Sequence, residues 1–406
     1  VFEILLVNIV GTDRKGLTNA LTEILAAHEV RILDIGQAVI HDHLSLGMLI
    51  ATPVGEQSCE VLKQLLFKCH ELNLSVRFTP VSDEEYEEWV QVQGQERLIF
   101  TVLGRTITAE VLRRFTDVLV DQGLNIETIS RLSKRVSLHH ADHGNACAEF
   151  AVIGSPHDRN ALHEALMAIT GDQCVDISVQ ADDMYRRNRR LVVFDMDSTL
   201  IQCEVIDELA KLAGVGAQVS EITERAMRGE LDFKSSFKER LALLKGLPVA
   251  AAEGFAERLP LTDGAEKLIS VLKMLGYKTA ICSGGFTLFG QRLQKDLGID
   301  YVYANELESE DGNLTGRVKG EIVDGQRKAL LMREIAHDLG LSLKQVIAVG
   351  DGANDLPMIQ QAGLGIAFRA KPLVRANAQN AISVLGLDGL LYLIGVRDRE
   401  LMRIEA

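Results

Sequence analysis

Between Leu191 and Val384 the chain repeats one pattern: a short, nearly unbroken apolar run that empties into small, polar or acidic residues. LVVF runs into DMDST, YKTAIC into SGG and QVIAVG into DGAND, and the runs LGIAF and AISV follow. Strands without polar alternation are buried on both faces, and helical stretches between them act as crossovers. The pattern predicts an α/β fold with a parallel sheet. Open sheets of that kind bind ligands beyond the carboxyl ends of their strands. The polar tails of the runs are therefore expected on one edge.

The first half has a different texture. Residues 2–10 (FEILLVNIV) read as an apolar strand; a Gly-rich turn follows, and Leu17, Leu21, Ile24, Leu25 and His28 fall at helical spacing. The strands ILDIGQAVI and LSLGMLIAT come next. Val61, Leu62, Leu65, Leu66 and Cys69 mark a second helix, and LSVRFTPV closes the unit. The order β-α-β-β-α-β then recurs in RLIFTVLGR, a helix through Val111, Leu112, Phe115, Val118 and Leu119, NIETISRLS, ACAEFAVIG, a helix over Ala161–Ile169, and VDISVQA. Such a unit folds as a ferredoxin-like sandwich with both helices on one face. DEEYEEWVQVQGQE between the copies is acidic and polar, a linker or a short connecting helix. The expected organisation is a first sandwich over 1–82, a linker over 83–96, a second sandwich over 97–182 and an α/β domain over 183–406 with an insert at about 203–262.

A net charge of −14 lacks the basic footprint of a nucleic-acid binder. The apolar N-terminus VFEILLVNIV carries Glu3 and is shorter than a membrane span, and no other run reaches that length. Cys59, Cys69, Cys147, Cys174, Cys203 and Cys282 form no CxxC pair, which reads as reduced, buried thiols. A cytoplasmic protein away from membranes is expected.

Three carboxylates are expected at the strand ends, Asp195, Asp197 and Asp351, with Asp355 behind. Like charges so close repel unless a cation sits among them, and a few hard oxygen ligands suit Mg²⁺. The DxD pair taken alone also fits helix capping. Ser283-Gly284-Gly285 offers a hydroxyl and accessible backbone N–H groups, either a phosphate cradle or an ordinary tight turn. Lys328, in GQRKAL at a helix start, either neutralises phosphate or sits in solvent.

Together, DMDST, SGG, the later Lys and GDGAND resemble the haloacid dehalogenase superfamily of phosphotransferases over about residues 185–390. The insert resembles that of the phosphoserine phosphatase family: Glu204 in CEVIDE, then AMRGELDF, then SFKER ending at Arg240. The resemblance implies a Rossmann-like parallel sheet with a small helical cap. It implies Mg²⁺-dependent hydrolysis of O-phospho-L-serine, the last step of serine biosynthesis. Asp195 would be the nucleophile and would form an aspartyl-phosphate. Asp197 would serve as general acid and then base. The Asp195 side chain, the Asp197 backbone carbonyl and Asp351 would hold the metal. Lys328, Ser283 and Gly284 would stabilise the phosphoryl oxygens, with Asn354 holding Lys328 or a metal-bound water. Glu204 would take the substrate ammonium and Arg240 its carboxylate, while Met227 and Phe233 close over the ligand.

The segment Val10-Gly11-Thr12-Asp13-Arg14-Lys15-Gly16-Leu17 resembles the ligand loop of ACT domains, regulatory modules that bind amino acids at paired interfaces. This implies a homodimer and feedback by an amino acid, L-serine above all, bound through Gly11, Asp13 and Gly16; a plain β-α turn fits the same residues. In the second copy Gly104 is the counterpart, but LGRTIT has no Asp and is shorter by two residues. His139, His140 and His143 lie in a polar hairpin and lack a matching ligand set, and His41 and His43 read as a strand turn. Two other functions stay open: the same chemistry on a broader phosphomonoester or phosphoprotein, and a non-catalytic amino-acid sensor. The Glu204–Arg240 pair argues against the first, and the intact acid–lysine set against the second.

Overall fold

The computed structural model describes residues 2–92, 94–137 and 144–402, apart from the side chains of Gln173 and Met227. His139, His140 and His143 lie outside the described residues. One compact unit runs to Gln95, and a second begins at Glu96.

The first unit contains β1 (Phe2–Thr12), α1 (Leu17–Ala27), β2 (Arg31–Ile40), β3 (His43–Pro53), α2 (Glu56–Glu71) and β4 (Ser75–Val81). Its antiparallel sheet has the order β2-β3-β1-β4. The register places Leu5 opposite Ile50, Val7 opposite Met48 and Ile9 opposite Leu46. These alternate residues form one apolar face, and Leu17, Leu21 and Leu25 of α1 cover it with Val61, Leu65 and Cys69 of α2. The acidic linker folds as α3 (Asp83–Val92), with Asp83, Glu84 and Glu85 in its first turn, where the helix dipole favours them.

The second unit opens with the same motif: β5 (Arg97–Gly104), α4 (Ala109–Asp121), β6 (Asn125–Arg131), β7 (Ala146–Ile153), α5 (Arg159–Gln173) and β8 (Val175–Ala181), in the sheet order β6-β7-β5-β8. Phe115 of α4 packs edge-on against Phe100 and Phe150 at 5.5 and 5.0 Å between ring centres. Unlike the first copy, this sheet is covered on both faces. Leu103 and Cys147 join the core of the α/β part. The unbroken run LIFTVL in β5, against the alternation of β1, is the signature of that double burial.

The α/β part runs β9 (Leu191–Phe194), a helical insert of α6 (Val205–Leu212), α7 (Gly216–Met227), α8 (Phe233–Ala242) and α9 (Val249–Ala256), then α10 (Ala265–Met274), β10 (Lys278–Phe286), α11 (Thr287–Leu297), β11 (Tyr301–Glu310), β12 (Asn313–Lys319), α12 (Gly325–Asp338), β13 (Val346–Gly350), α13 (Leu356–Gln361), β14 (Leu364–Phe368), α14 (Pro372–Asn377) and β15 (Asn380–Ile382). The sheet order is β12-β11-β10-β9-β13-β14-β15, parallel except for β12. The strand order reverses on either side of β9, which opens a crevice at its carboxyl end. The β11–β12 hairpin has no apolar run to announce it, since LESEDGNLTGRVK is mostly polar. Its Asp311-Gly312 turn, with φ of 49° and 77°, is the hairpin signal that was present.

All six cysteines are free, but Cys59 and Cys174 are exposed, which corrects the expectation of buried thiols throughout. Cys174 ends α5 in a left-handed conformation, outside the packed face. Among the described residues no helix is long and apolar enough to cross a membrane.

Candidate active site

Asp195 follows directly on β9, which is buried along its whole length. Its backbone N–H donates to the Val349 carbonyl at 2.8 Å, so the sheet ladder itself fixes the residue. Oδ1 accepts from the Met196 N–H at 2.7 Å, and Oδ2 lies 2.8 Å from Lys328 Nζ. Lys328 is delivered by the first turns of α12, whose start is capped by the Asp324 carboxylate on the Arg327 N–H. Gly325 there lies so close to the Asn354 backbone that a Cβ would come within 2.5 Å of its carbonyl oxygen. The lysine is fully buried, not a solvated surface residue. Its second partner is Asp355 Oδ1 at 2.6 Å. Burial works against its charge, but Asp195 and Asp355 outweigh that and hold its pKa above the ordinary lysine value. Among the described residues no hydrogen bond joins Asn354 to Lys328; Asp195 and Asp355 hold the ammonium instead.

Asp351 follows directly on β13 and accepts from the Thr199 hydroxyl at 3.1 Å. One carboxylate oxygen from each of Asp195, Asp351 and Asp355 lies within 4.8 Å of the others. Burial, then the charges of Asp195, Asp355 and Glu204, push the Asp351 carboxyl up to about 8. Fully ionised, these carboxylates would carry more negative charge than Lys328 offsets, and that repulsion adds to burial in raising the Asp351 pKa. A compact all-oxygen donor set with excess negative charge fits a hard divalent cation.

Asp197 lies one turn on, with Oδ1 sealed from solvent and without a hydrogen-bond partner. Burial raises its pKa well above the ordinary carboxylate value, and Glu204 and Asp195 add to the rise. SGG is not a tight turn: it continues β10, with a register shift against β11. A Cβ on Gly285 would stand 2.9 Å from Asp197 Oδ2, and one on Gly284 would stand 3.2 Å from the Phe233 ring. Glycine here permits close approach. Ser283 Oγ accepts from the Gly285 N–H at 3.0 Å, which leaves its proton free to donate.

The helical insert supplies the other wall. Phe233 stacks on Phe237 of α8, and Phe237 meets Phe286 at the end of β10 at a tilt of 38°, both with 6.0 Å between ring centres. Ser198 sits at φ 56°, a strained position for a non-glycine residue, and its hydroxyl donates to Glu204 Oε1 at 2.7 Å. Glu204 keeps contact with solvent, yet the protein crowded around its carboxyl raises its pKa. Arg240 forms no ion pair among the described residues; its Nε donates to the Ser236 carbonyl at 3.4 Å. Burial lowers its pKa, opposed by Asp207, Glu204 and Asp197.

The structure thus gathers Asp195, Asp197, Ser283, Gly284, Lys328 and Asp351 at one sheet edge, with Glu204, Phe233 and Arg240 facing them. The Met227 side chain lies outside what is described. Asn354 stands at this edge between Asp351 and Asp355, with a Cβ on Gly352 coming 2.3 Å from its Oδ1. Asp355 is expected from sequence behind the other carboxylates, but its pairing with Lys328 is not; Thr199 and Ser198 carry no such expectation, although DMDST contains both.

The same modules emerge from comparison with known proteins. ACT-domain models match residues 3–79 and 98–180, and a haloacid dehalogenase-like hydrolase model matches residues 189–363. The phosphoserine phosphatase of Streptomyces coelicolor is 42% identical over 397 residues, covering 98% of this chain and 93% of that protein. Phosphoserine phosphatase SerB2 of Mycobacterium tuberculosis is 39% identical over 402 residues, 99% and 95% of the two chains. The chain belongs to the phosphoserine phosphatase family. Among solved structures, a probable phosphoserine phosphatase of Vibrio cholerae, 34% identical, superposes over 77% of this chain and 90% of its own with a TM-score of 0.56. In this family member the acid–lysine cluster falls inside the hydrolase match, and the Asp13–Gly16 loop inside the first ACT match.

The two ACT loops differ. Gly16 begins α1 at φ 89° with no side-chain cap, and the Asp13 carboxylate has no hydrogen-bond partner among the described residues. In the second copy Thr108 caps α4 by accepting from the Val111 N–H. The ligand role expected of Gly104 therefore finds no free helix start. A Cβ on Gly104 would meet Val175 at 3.0 Å and one on Gly11 would meet Leu74 at 2.5 Å, so both glycines serve strand packing.

Proposed function

We propose that the chain hydrolyses O-phospho-L-serine to L-serine and phosphate, with the phosphoryl group carried transiently on Asp195. Arg240 is the observation that carries this function. A guanidinium without an ion pair, set opposite the acid–lysine cluster, suits a substrate carboxylate, which its planar fork can hold bidentately. Glu204, oriented by Ser198, takes the substrate ammonium.

An Asp195 carboxylate oxygen attacks phosphorus; the serine oxygen leaves with the bonding pair and takes the Asp197 proton. The Asp197 carboxylate then takes a proton from water as its oxygen attacks phosphorus. The bond to Asp195 breaks, and both carboxyl groups return to their starting states. The Lys328 ammonium, the Ser283 hydroxyl and the Gly284 N–H stabilise the non-bridging oxygens. Asp355 positions Lys328, and Asn354 orders the loop between Asp351 and Asp355. Phe233 closes over the ligand and excludes water. The Asp195 side chain, Asp351 and the Asp197 backbone carbonyl are assigned to Mg²⁺. When bound, the ion offsets the charge of the phosphate dianion beside these carboxylates.

Phosphate release from phosphoserine, phosphothreonine and p-nitrophenyl phosphate tests this function. Phosphoserine is expected to be the best substrate and Asp195→Asn to abolish turnover. Comparable rates on all three substrates would point to a broader phosphomonoesterase instead.

In the first unit, we assign L-serine to the Asp13–Gly16 loop as a feedback inhibitor. Its carboxylate meets the uncapped start of α1 and its ammonium meets Asp13. Two copies pair through such units; the exposed apolar side chains of Ile32, Ile35 and Ile40 on the edge strand β2 support this. Serine inhibition that persists unchanged in Asp13→Ala would overturn the assignment.

A further inference from the structure

A cleft of about 700 Å³ opens within the second unit, between α5 and β8 on one side and the segments at Lys344, Gly363 and α14 on the other. None of the acid–lysine cluster lines it. Gly363 and Leu364 stand where β14 begins, at the opposite end of the sheet from Asp195 and Asp351. The volume lies in the roughly 300–1,000 Å³ range of small-molecule sites. Serine would fill only a small part of it.

The lining is unusual for a chain of net charge −14. Arg159, Arg189 and Lys344 line the cleft with one carboxylate, Asp183, against apolar walls that include Leu98 and Leu166. Two of these charges are already committed. Arg159 pairs with Glu96, and Asp183 accepts from the N–H groups of Tyr185 and Arg186. The other two cations have no carboxylate partner among the described residues. Arg189 is only 4% exposed, its Nη1 donates to Gln180 and to the Arg186 carbonyl, and its buried Nε has no partner. Lys344 Nζ stands 5.1 Å from the centre of the Tyr185 ring. Asp183 acts on Arg189 only from beyond ion-pair distance, and a buried guanidinium without a direct ion pair is costly unless something supplies one.

We propose that this cleft is a second ligand site, which takes an organic anion: a carboxylate, sulfonate or phosphate head on an apolar body larger than an amino acid. Arg189 and Lys344 receive the head, and the leucine wall receives the body. A ligand there touches both the second ACT sheet and the α/β domain, so occupancy tightens one onto the other. This site is independent of the hydrolytic function proposed above.

The test uses the full chain and 8-anilinonaphthalene-1-sulfonate, which has the required head and body. Fluorescence titration is expected to show saturable binding that phosphoserine does not displace, with a rise in melting temperature. Lys344→Gln should weaken binding about ten-fold, the loss of one charge-assisted contact. Ala376→Trp, an exposed lining position, should fill the cleft and abolish binding while basal phosphate release stays unchanged. Arg189→Gln should lose binding if it folds; the other two variants decide the matter if it does not. Wild-type affinity in both Lys344→Gln and Ala376→Trp, or displacement of the dye by phosphoserine, would overturn the proposal.

Discussion

Lys328 carries a charge to a place that water does not reach, and two carboxylates make that tolerable. Removing both partners would leave an uncompensated ammonium, at a cost of about 3–5 kcal/mol. Asp355→Ala leaves Asp195 on Lys328 and should lower stability to urea by about 1–3 kcal/mol, the loss of one buried charge-assisted hydrogen bond. An unchanged midpoint would mean that Asp355 does not hold Lys328. The thiols behave differently, because burial is the largest influence on them and no ion pair holds them. Cys203 and Cys282 are pushed up to about 12, chiefly by desolvation. Near pH 8 they carry on the order of one thiolate in 10⁴, so a thiol reagent should find Cys59 and Cys174 fast and the buried cysteines slow. The linkage has a definite sign. A thiol pKa raised by folding adds stability below the ordinary value of 9.0, and that stability is lost as pH climbs towards 12. Urea midpoints should fall as pH rises above 9.0 towards 12; a midpoint that rises there would contradict the burial of these groups.

At the scale of elements, β8 turns a ferredoxin-like sheet into a wall of the α/β domain. Asp176 Oδ2 accepts from the N–H groups of Ser383 and Val384 at 2.6 and 3.0 Å. Ser178 donates to Asn380 Oδ1 at 2.6 Å, and the Gln180 side chain reaches the Leu393 carbonyl at 3.0 Å. Burial raises the Asp176 pKa, opposed by those backbone donors, and its Oδ1 has no partner. The acceptor oxygen therefore matters more than the charge. Asp176→Ala should cost about 2 kcal/mol, since two buried N–H groups lose their acceptor, while Asp176→Asn should stay near the parent. Thermal unfolding distinguishes them. Equal losses in both variants would show that the charge itself holds the two parts together.

For the whole molecule, the legible parts were those with a chemical or periodic signature. Acids placed after unbroken apolar runs marked the catalytic edge, and the repeated β-α-β-β-α-β order marked the two sandwiches. What stayed hidden depends on contacts between distant segments. Asp355 was visible as a carboxylate, but its grip on Lys328 exists only because α12 packs its glycine start on the Asn354 backbone. The β11–β12 hairpin carries polar residues on its strands and shows only in its turn. The covered second face of β5 was written in LIFTVL, yet nothing local says which domain covers it. The state of Arg240 is of the same kind, because whether an arginine has a partner is decided by the assembled site.

The central claim is that Arg240 reads the carboxylate of phosphoserine beside the acid–lysine cluster. The most direct measurement is kcat/KM for phosphoserine and for p-nitrophenyl phosphate, in the parent chain and in Arg240→Ala. A lost charge-assisted bidentate contact predicts a fall of about 10²-fold on phosphoserine and little change on p-nitrophenyl phosphate, which has no carboxylate. An equal fall on both substrates would contradict the claim and make Arg240 a structural residue of the cap.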